Sequence, residues 1–375
     1  MKNLVLVLGV VFVSCISSTG EKTDPGETAL EQLRANIDTL FNAEIGANEP
    51  GAAVLVAYNG EMIIGKGYGL RDVENTAPIT KSTNMRMGSV SKQFTALTVL
   101  KLLDEGKLKL KDSVYTFLPI ATFKDGTTIE QLINHTSGKM DAEEVFFTDW
   151  DRTKIAENKD ILDWYSKENR TNTLPGEAYR YNNGIYEFIP CIVAHVSGQD
   201  FADFAKENIF NAAGMAKTNF FNLAEPIEIE ERAFCYEKDS LGNWKKVDGH
   251  FLNGLLGAGG VYTSVTDYFH YDTALRDKAI LSAATHDVIF RPSSTELVDG
   301  VKKHYAMGWG VTDSTAAHSG GWFGTNTYTK RYLNKPLTIA IFMNRNTLFD
   351  TDLIRKTDSL AVDYVNAIAN FGSTR

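Results

Sequence analysis

An α/β (α+β) fold, with one sheet assembled from both ends of the chain and a mostly helical region between them, is what the sequence predicts. Three observations carry that prediction. β-rich runs flank Asn59-Gly60, further β-rich runs lie between His318 and Asn344, and helical periodicity with loops dominates from about Asp112 to Pro292. With 375 residues, 43% hydrophobic and 11% aromatic, the chain has ample material for a packed core in one large domain or two. A formal charge of −9 and a pI near 5.4, with no block of Lys or Arg, argue against a nucleic-acid surface, which needs clustered positive charge. A small or neutral substrate fits this balance better.

The chain begins "MKNLVLVLGVVFVSC": one lysine, an apolar run from Leu4 to Val13, then Ser14-Cys15 and a polar stretch. The run is too short to span a bilayer as a stable helix and suits the apolar core of an export signal. Cys15 resembles the lipidated cysteine of a bacterial lipoprotein, although Phe12 stands where leucine is usual. Residues 1–15 are therefore expected to be an export signal and 16–27 a tether. The mature protein would then be periplasmic or attached to the cell envelope, with membrane contact only through a lipid anchor. Cys191 and Cys235 are far apart in apolar surroundings and are expected to be free.

"ALEQLRANIDTLFNAEI", Ala29 to Ile45, predicts an amphipathic helix with Leu30, Leu33, Ile37, Leu40 and Phe41 on one face. "GAAVLVAYNGEMIIGKGYG" follows, and its Asn59-Gly60 is a strong hairpin signal. From Val90 to Leu103 apolar residues fall on nearly every face, which predicts a buried helix ended by Gly106. "HSGGWFGTNTYTKRYLNKPLTIAIFMN" predicts two more strands joined at Asn334-Lys335-Pro336, and "TDLIRKTDSLAVDYVNAIANF" a closing helix. The α/β part thus covers about 28–111 and 293–375, and the helical insert about 112–292. A cleft is expected between them.

Three stretches suggest chemistry. In "MGSVSKQFTA", Ser89 and Lys92 lie one helical turn apart at the start of the buried helix, where the serine Oγ is near the positive end of the dipole. A lysine buried there loses its proton more readily than in water and can serve as base for the hydroxyl. The alternative is a capping serine with a snorkelling lysine. In "PGEAYRYNNGIYEFI", Tyr181 beside an ammonium can exist partly as phenolate and accept a proton. The plainer reading is a tyrosine packed on its ring face, with asparagines capping a helix. In "AAHSGGWFGTNT", glycines weaken a strand unless something approaches its backbone closely, and a bound acyl substrate is one such thing. A glycine-rich bulge is the alternative.

Taken together, Ser89-Val90-Ser91-Lys92, Tyr181-Asn182-Asn183 and His318-Ser319-Gly320 resemble, in order and spacing, the three motifs of the penicillin-recognising serine hydrolases. The likeness is nearest to the group of class C β-lactamases, D-alanyl-D-alanine carboxypeptidases, D-aminopeptidases and related esterases. "LINHTSG", "GLLGAGGVYTSVTDY" and "YAMGWGV" are similar to accessory stretches of that group, and the resemblance spans about Gly51 to Asn344. It implies a β-lactamase/transpeptidase-like fold, an antiparallel sheet flanked by helices. It also implies Ser89 as nucleophile, Lys92 as its activator, and Tyr181 as the acid/base that passes the proton to the leaving group. The backbone N–H groups of Ser89 and Gly321 would form the oxyanion hole. Asn183, His318, Ser319 and Gly320 would bind substrate, with Asn183 on the acyl amide. Neither metal nor organic cofactor enters this mechanism, and the identity of the acylation base stays open between Lys92 and Tyr181.

His318 stands where class C β-lactamases typically carry lysine. A neutral imidazole holds a substrate carboxylate less firmly than an ammonium, which counts against efficient β-lactam hydrolysis. Ser91 is also a nearby hydroxyl, but only Ser89 has lysine three residues later. No HExxH or comparable histidine spacing points to a metal, and "GLLGAGG" lacks the Lys-Ser/Thr ending of a phosphate loop. His135, inside a formal Asn-x-Thr sequon, is expected to be structural. The expected activity is that of an exported serine hydrolase cleaving an ester or amide, of peptidase or esterase type. Cell-wall carboxypeptidase and class C-like β-lactamase follow in that order. A binding protein that acylates slowly, or not at all, is the rival from another class.

Overall fold

The computed structural model describes residues 25–298 and 301–372; the expected export signal, Cys15 and residues 16–24 of the tether lie outside them. Helix α1 (Pro25–Glu44) buries Leu33, Ile37 and Phe41, three positions on one helical face, each contributing about 1.5–3 kcal/mol of transfer free energy. β1 (Ala52–Tyr58) and β2 (Glu61–Tyr68) form the expected hairpin. Its turn residues Asn59 and Gly60 both have positive φ (53° and 78°), as a two-residue turn between twisted strands requires.

The other strands of the main sheet come late in the chain: β3 (Ser294–Val298), β4 (Val301–Ala306), β5 (Trp309–Val311), β6 (Thr315–Trp322), β7 (Thr325–Tyr332) and β8 (Leu337–Met343). They pair antiparallel in the order β3-β4-β5-β6-β7-β8-β1-β2, so the N-terminal hairpin docks beside the last strand, with Val54 opposite Ile341. The stretch from His318 to Asn344 forms three strands where two were expected. The reason is a second reversal at Phe323-Gly324, where Gly324 has φ +64°. The turn at Asn334–Pro336 falls where the sequence put it.

Both faces of the sheet are covered, which is why β1 and β8 read as continuous apolar runs with no polar alternation. On one face α1 and the closing helix α5 (Leu353–Gly372) pack together over Val54, Val56, Ile339 and Ile341. On the other, Ala53, Leu55, Ala340 and Phe342 join the larger core around α2 (Ser91–Asp104), which is buried nearly all round. Helix α3 (Asn183–Ser197) packs against α2 and carries the apolar centre of the helical region.

The stretch expected as a helical insert, 112–292, also reaches the sheet, because helix α4 (Val265–Arg276) packs on β1 and β8. It contains short strands as well. Val261–Thr263 pairs with Met85–Arg86 on one side and Asn219–Phe220 on the other. That small sheet ties the residues just before Ser89 to those just after the loop Gly254–Gly260. Cys191 and Cys235 are free thiols, as expected.

Candidate active site

Ser89 sits in a single 3₁₀ turn, Gly88–Val90, that leads straight into α2. Gly88 has φ +51°, and a Cβ on it would lie 2.9 Å from the Gly321 nitrogen. A Cβ on Gly320 would lie 2.1 Å from the Met87 carbonyl oxygen. Gly320 of "HSGGW" therefore answers first to the protein's own backbone: the Met87–Ser89 turn presses against β6, a close approach only glycine allows, whereas a Cβ on Gly321 would meet nothing nearer than Asn326 Nδ2 at 3.6 Å. Thr327 Oγ1 donates to that same Met87 carbonyl at 2.7 Å, fixing the turn against β7 as well. The amide of Ser89 is thereby brought to the edge of β6 at Gly320 and Gly321. Ser91 has a different task, since its Oγ accepts the Val261 N–H at 3.2 Å.

Lys92, in the first turn of α2, is wholly buried. Its Nζ contacts three oxygens: Asn183 Oδ1 at 2.7 Å, the Ala258 carbonyl at 3.0 Å and Ser89 Oγ at 3.1 Å. Burial lowers its pKa from 10.5 to about 8, against the pull of Glu143, Glu187 and Asp141. The neutral amine has two protons and a lone pair. Both Asn183 Oδ1 and the Ala258 carbonyl can only accept, so those protons go to them and the lone pair faces the Ser89 hydroxyl. Asn183 is held in this orientation because its Nδ2 donates to Glu143 Oε1 at 2.8 Å.

Tyr181 lies over the same lysine, with Nζ 4.8 Å from its ring centre, and its hydroxyl is hydrogen-bonded to the Ser89 side chain. Its pKa is raised, chiefly by burial and further by Glu143 and Asp141, with the Ser89 bond working the other way. The sequence reading allowed a partial phenolate here. The structure gives a phenol, because lost hydration and nearby carboxylates outweigh the Ser89 hydrogen bond. The other face of Tyr181 stacks on His135, ring centres 4.3 Å apart. His135 Nδ1 accepts the Asn182 N–H at 3.1 Å, and Asn182 in turn caps α3 through Ile185 N–H at 2.8 Å. So His135 is structural, as expected, but what it supports is the Tyr181–Asn183 segment itself.

His318 is on β6, 6.2 Å from the Tyr181 ring centre. Its Nδ1 lies 2.6 Å from the Ser319 carbonyl and so carries the proton, which leaves Nε2 to accept from the Tyr305 hydroxyl at 3.2 Å. Burial and the neighbouring Lys92 lower its pKa to about 4, and the ring is neutral at pH 7. The stretch "YAMGWGV" thus supplies the partner of His318, "LINHTSG" the partner of Tyr181, and "GLLGAGG" an acceptor for Lys92.

Three carboxyl groups that the sequence reading did not single out stand behind these residues. Asp141 accepts the N–H groups of Asn183, Gly184 and Glu143 at 2.8, 2.8 and 3.0 Å, clamping the start of α3. Glu143 and Glu187 are 7% and 2% exposed and hydrogen-bond to each other. Burial raises both pKa values, and Glu187, raised further by Glu143, carries the proton it shares with it. Both line a cleft with Ser89, Asn183, Gly321 and Trp322. A signal existed in "DAEEVFF" and in a glutamate inside an otherwise apolar helix, "GIYEFIPCIV".

A serine hydroxyl at a helix start, a buried lysine of lowered pKa in contact with it, a phenol beside both and a glycine-edged strand define a penicillin-recognising serine hydrolase on a β-lactamase/transpeptidase-like scaffold. The chain belongs to the Beta-lactamase family, whose model matches residues 34–362. It is 31% identical over 330 residues to penicillin-binding protein 4* of Bacillus subtilis, across 84% of this chain and 72% of that one. Among solved structures, the octameric penicillin-binding protein homologue of Pyrococcus abyssi superposes with a TM-score of 0.71 at 24% identity, covering 85% of this chain and 73% of the other. D-amino acid amidase from Ochrobactrum anthropi gives 0.73 at 20% identity, over 90% and 99%. These two likenesses establish the fold.

Proposed function

We propose that the protein hydrolyses an ester or amide through an acyl-enzyme on Ser89, as a peptidase or esterase acting on small acyl or D-amino-acid-containing compounds. The observation that carries this is the Lys92 amine, whose two obligate acceptors leave its lone pair to Ser89 Oγ. Lys92 takes the hydroxyl proton as Oγ attacks the carbonyl, and the N–H groups of Ser89 and Gly321 receive the charge on the carbonyl oxygen. Tyr181, a phenol bonded to Ser89, passes a proton to the leaving group and is reprotonated through Lys92. Water then releases the acyl group by the reverse relay. Asn183 offers its remaining proton to the acyl amide, and His318, Ser319 and Gly320 on β6 would meet the rest of the substrate.

A neutral His318 offers no fixed positive charge to a substrate carboxylate at β6, which favours this reading over carboxypeptidase and class C-like β-lactamase action. We propose further that the chain is exported and lipidated on Cys15. Intact-protein mass spectrometry after mixing with a fluorophosphonate, a p-nitrophenyl ester and a penicillin tests the activity. The expected result is adducts on wild type and none on Ser89→Ala, with the ester adduct clearing and the penicillin adduct persisting. Normal acylation of Ser89→Ala overturns the assignment, and the absence of any adduct favours a non-catalytic binding protein. For the anchor, metabolic labelling with palmitate should mark wild type and spare Cys15→Ala.

A further inference from the structure

The Glu143–Glu187 pair is more acidic equipment than the catalytic lysine needs. Lys92 is satisfied by three uncharged oxygens, and Asp141 is occupied by three backbone N–H groups. Of the pair, only Glu143 is used, by Asn183 Nδ2, while Glu187 Oε2 accepts no N–H or O–H from the protein. Two carboxyl groups buried side by side are costly, and a single shared proton relieves only part of that cost. They line the cleft that opens onto Ser89, together with Leu252, Leu255, Ala258, Trp322 and the Arg86 guanidinium, whose Nε donates to the Tyr262 hydroxyl at 3.2 Å. Asn183, the residue placed to meet the acyl amide, is four residues before Glu187 on α3 and bonded to Glu143, so the pair flanks the acyl part of a bound substrate.

We propose that Glu143 and Glu187 form a subsite for the ammonium group of the substrate, so that the acyl part is an amino acid with a free α-amino group. This rests on the serine-hydrolase reading above. An ammonium donates to both carboxyls at once, and the proton that links them in the empty site passes to solvent. An acetylated amine has neither the charge nor the donors, and its methyl and carbonyl would sit against two carboxyl groups with nothing to offer them.

The test is protection of Ser89 from fluorophosphonate labelling at pH 7 by D-alanine amide and by N-acetyl-D-alanine amide, in wild type and in Glu187→Gln. Charge-assisted bonds set the expected size: the free amine halves the labelling rate at a concentration at least about tenfold below the acetylated one. In Glu187→Gln that gap closes. Equal protection, better protection by the acetylated compound, or none from the free amine overturns the subsite, as does a gap that survives in folded Glu187→Gln. Should that variant not fold, the wild-type comparison decides alone. If Ser89 is not labelled at all, the failure belongs to the serine-hydrolase reading.

Discussion

Lys92 and Tyr181 divide the proton chemistry by their surroundings. Burial lowers the first to about 8 and raises the second, so near neutrality the lysine is the group that changes state. Protonated Lys92 has no lone pair for Ser89. The acylation rate under kcat/KM conditions is therefore expected to rise about tenfold per pH unit below about 8 and level off above it. A profile flat between pH 6 and 9 would remove Lys92 as the base. Lys92→Arg, which keeps the charge permanently, should abolish acylation while leaving the fold detectable by circular dichroism. Tyr181→Phe should slow turnover by roughly 10²–10⁴, the usual range for a lost general acid/base, and an unchanged rate would end the shuttle role.

Among the elements, the contact between the Ser89 turn and β6 is the most demanding. Gly320→Ala must push either the Met87 carbonyl or the strand aside, since the added carbon would lie 2.1 Å from that oxygen. It is expected to cost at least 10² in kcat with little change in KM, because it displaces the Ser89 and Gly321 amides proposed to receive the oxyanion. At this scale much was legible in the sequence. The hairpin at Asn59-Gly60, the amphipathic α1, the buried α2 and the turn at Asn334–Pro336 each follow from local chemistry. The third strand after His318 was missed because Phe323-Gly324 is a weaker turn signal than Asn-Gly. The Glu143–Glu187 pair was missed because a buried acid shows itself only once its neighbours are known. The glycines after His318 were read as making room for a substrate or as a bulge, whereas at Gly320 the nearer demand comes from a turn more than 200 residues earlier.

At the scale of the whole molecule, α1 and α5 close one face of the sheet while α2, with Lys92, packs on the other. Truncation before Leu353 would leave Val54, Val56, Ile339 and Ile341 half uncovered. Such a chain is expected to bind a hydrophobic dye and to lose its cooperative thermal transition. The same layout has a temporal consequence. β1 and β2 leave the ribosome long before the strand they dock against, because the neighbour of β1 is β8, nearly 280 residues later. At about 5–20 residues per second the hairpin waits roughly 14 to 56 seconds for its partner. Through that interval β1 has one edge open and two apolar faces bare, so the nascent chain is expected to be a client for chaperones until β8 is made.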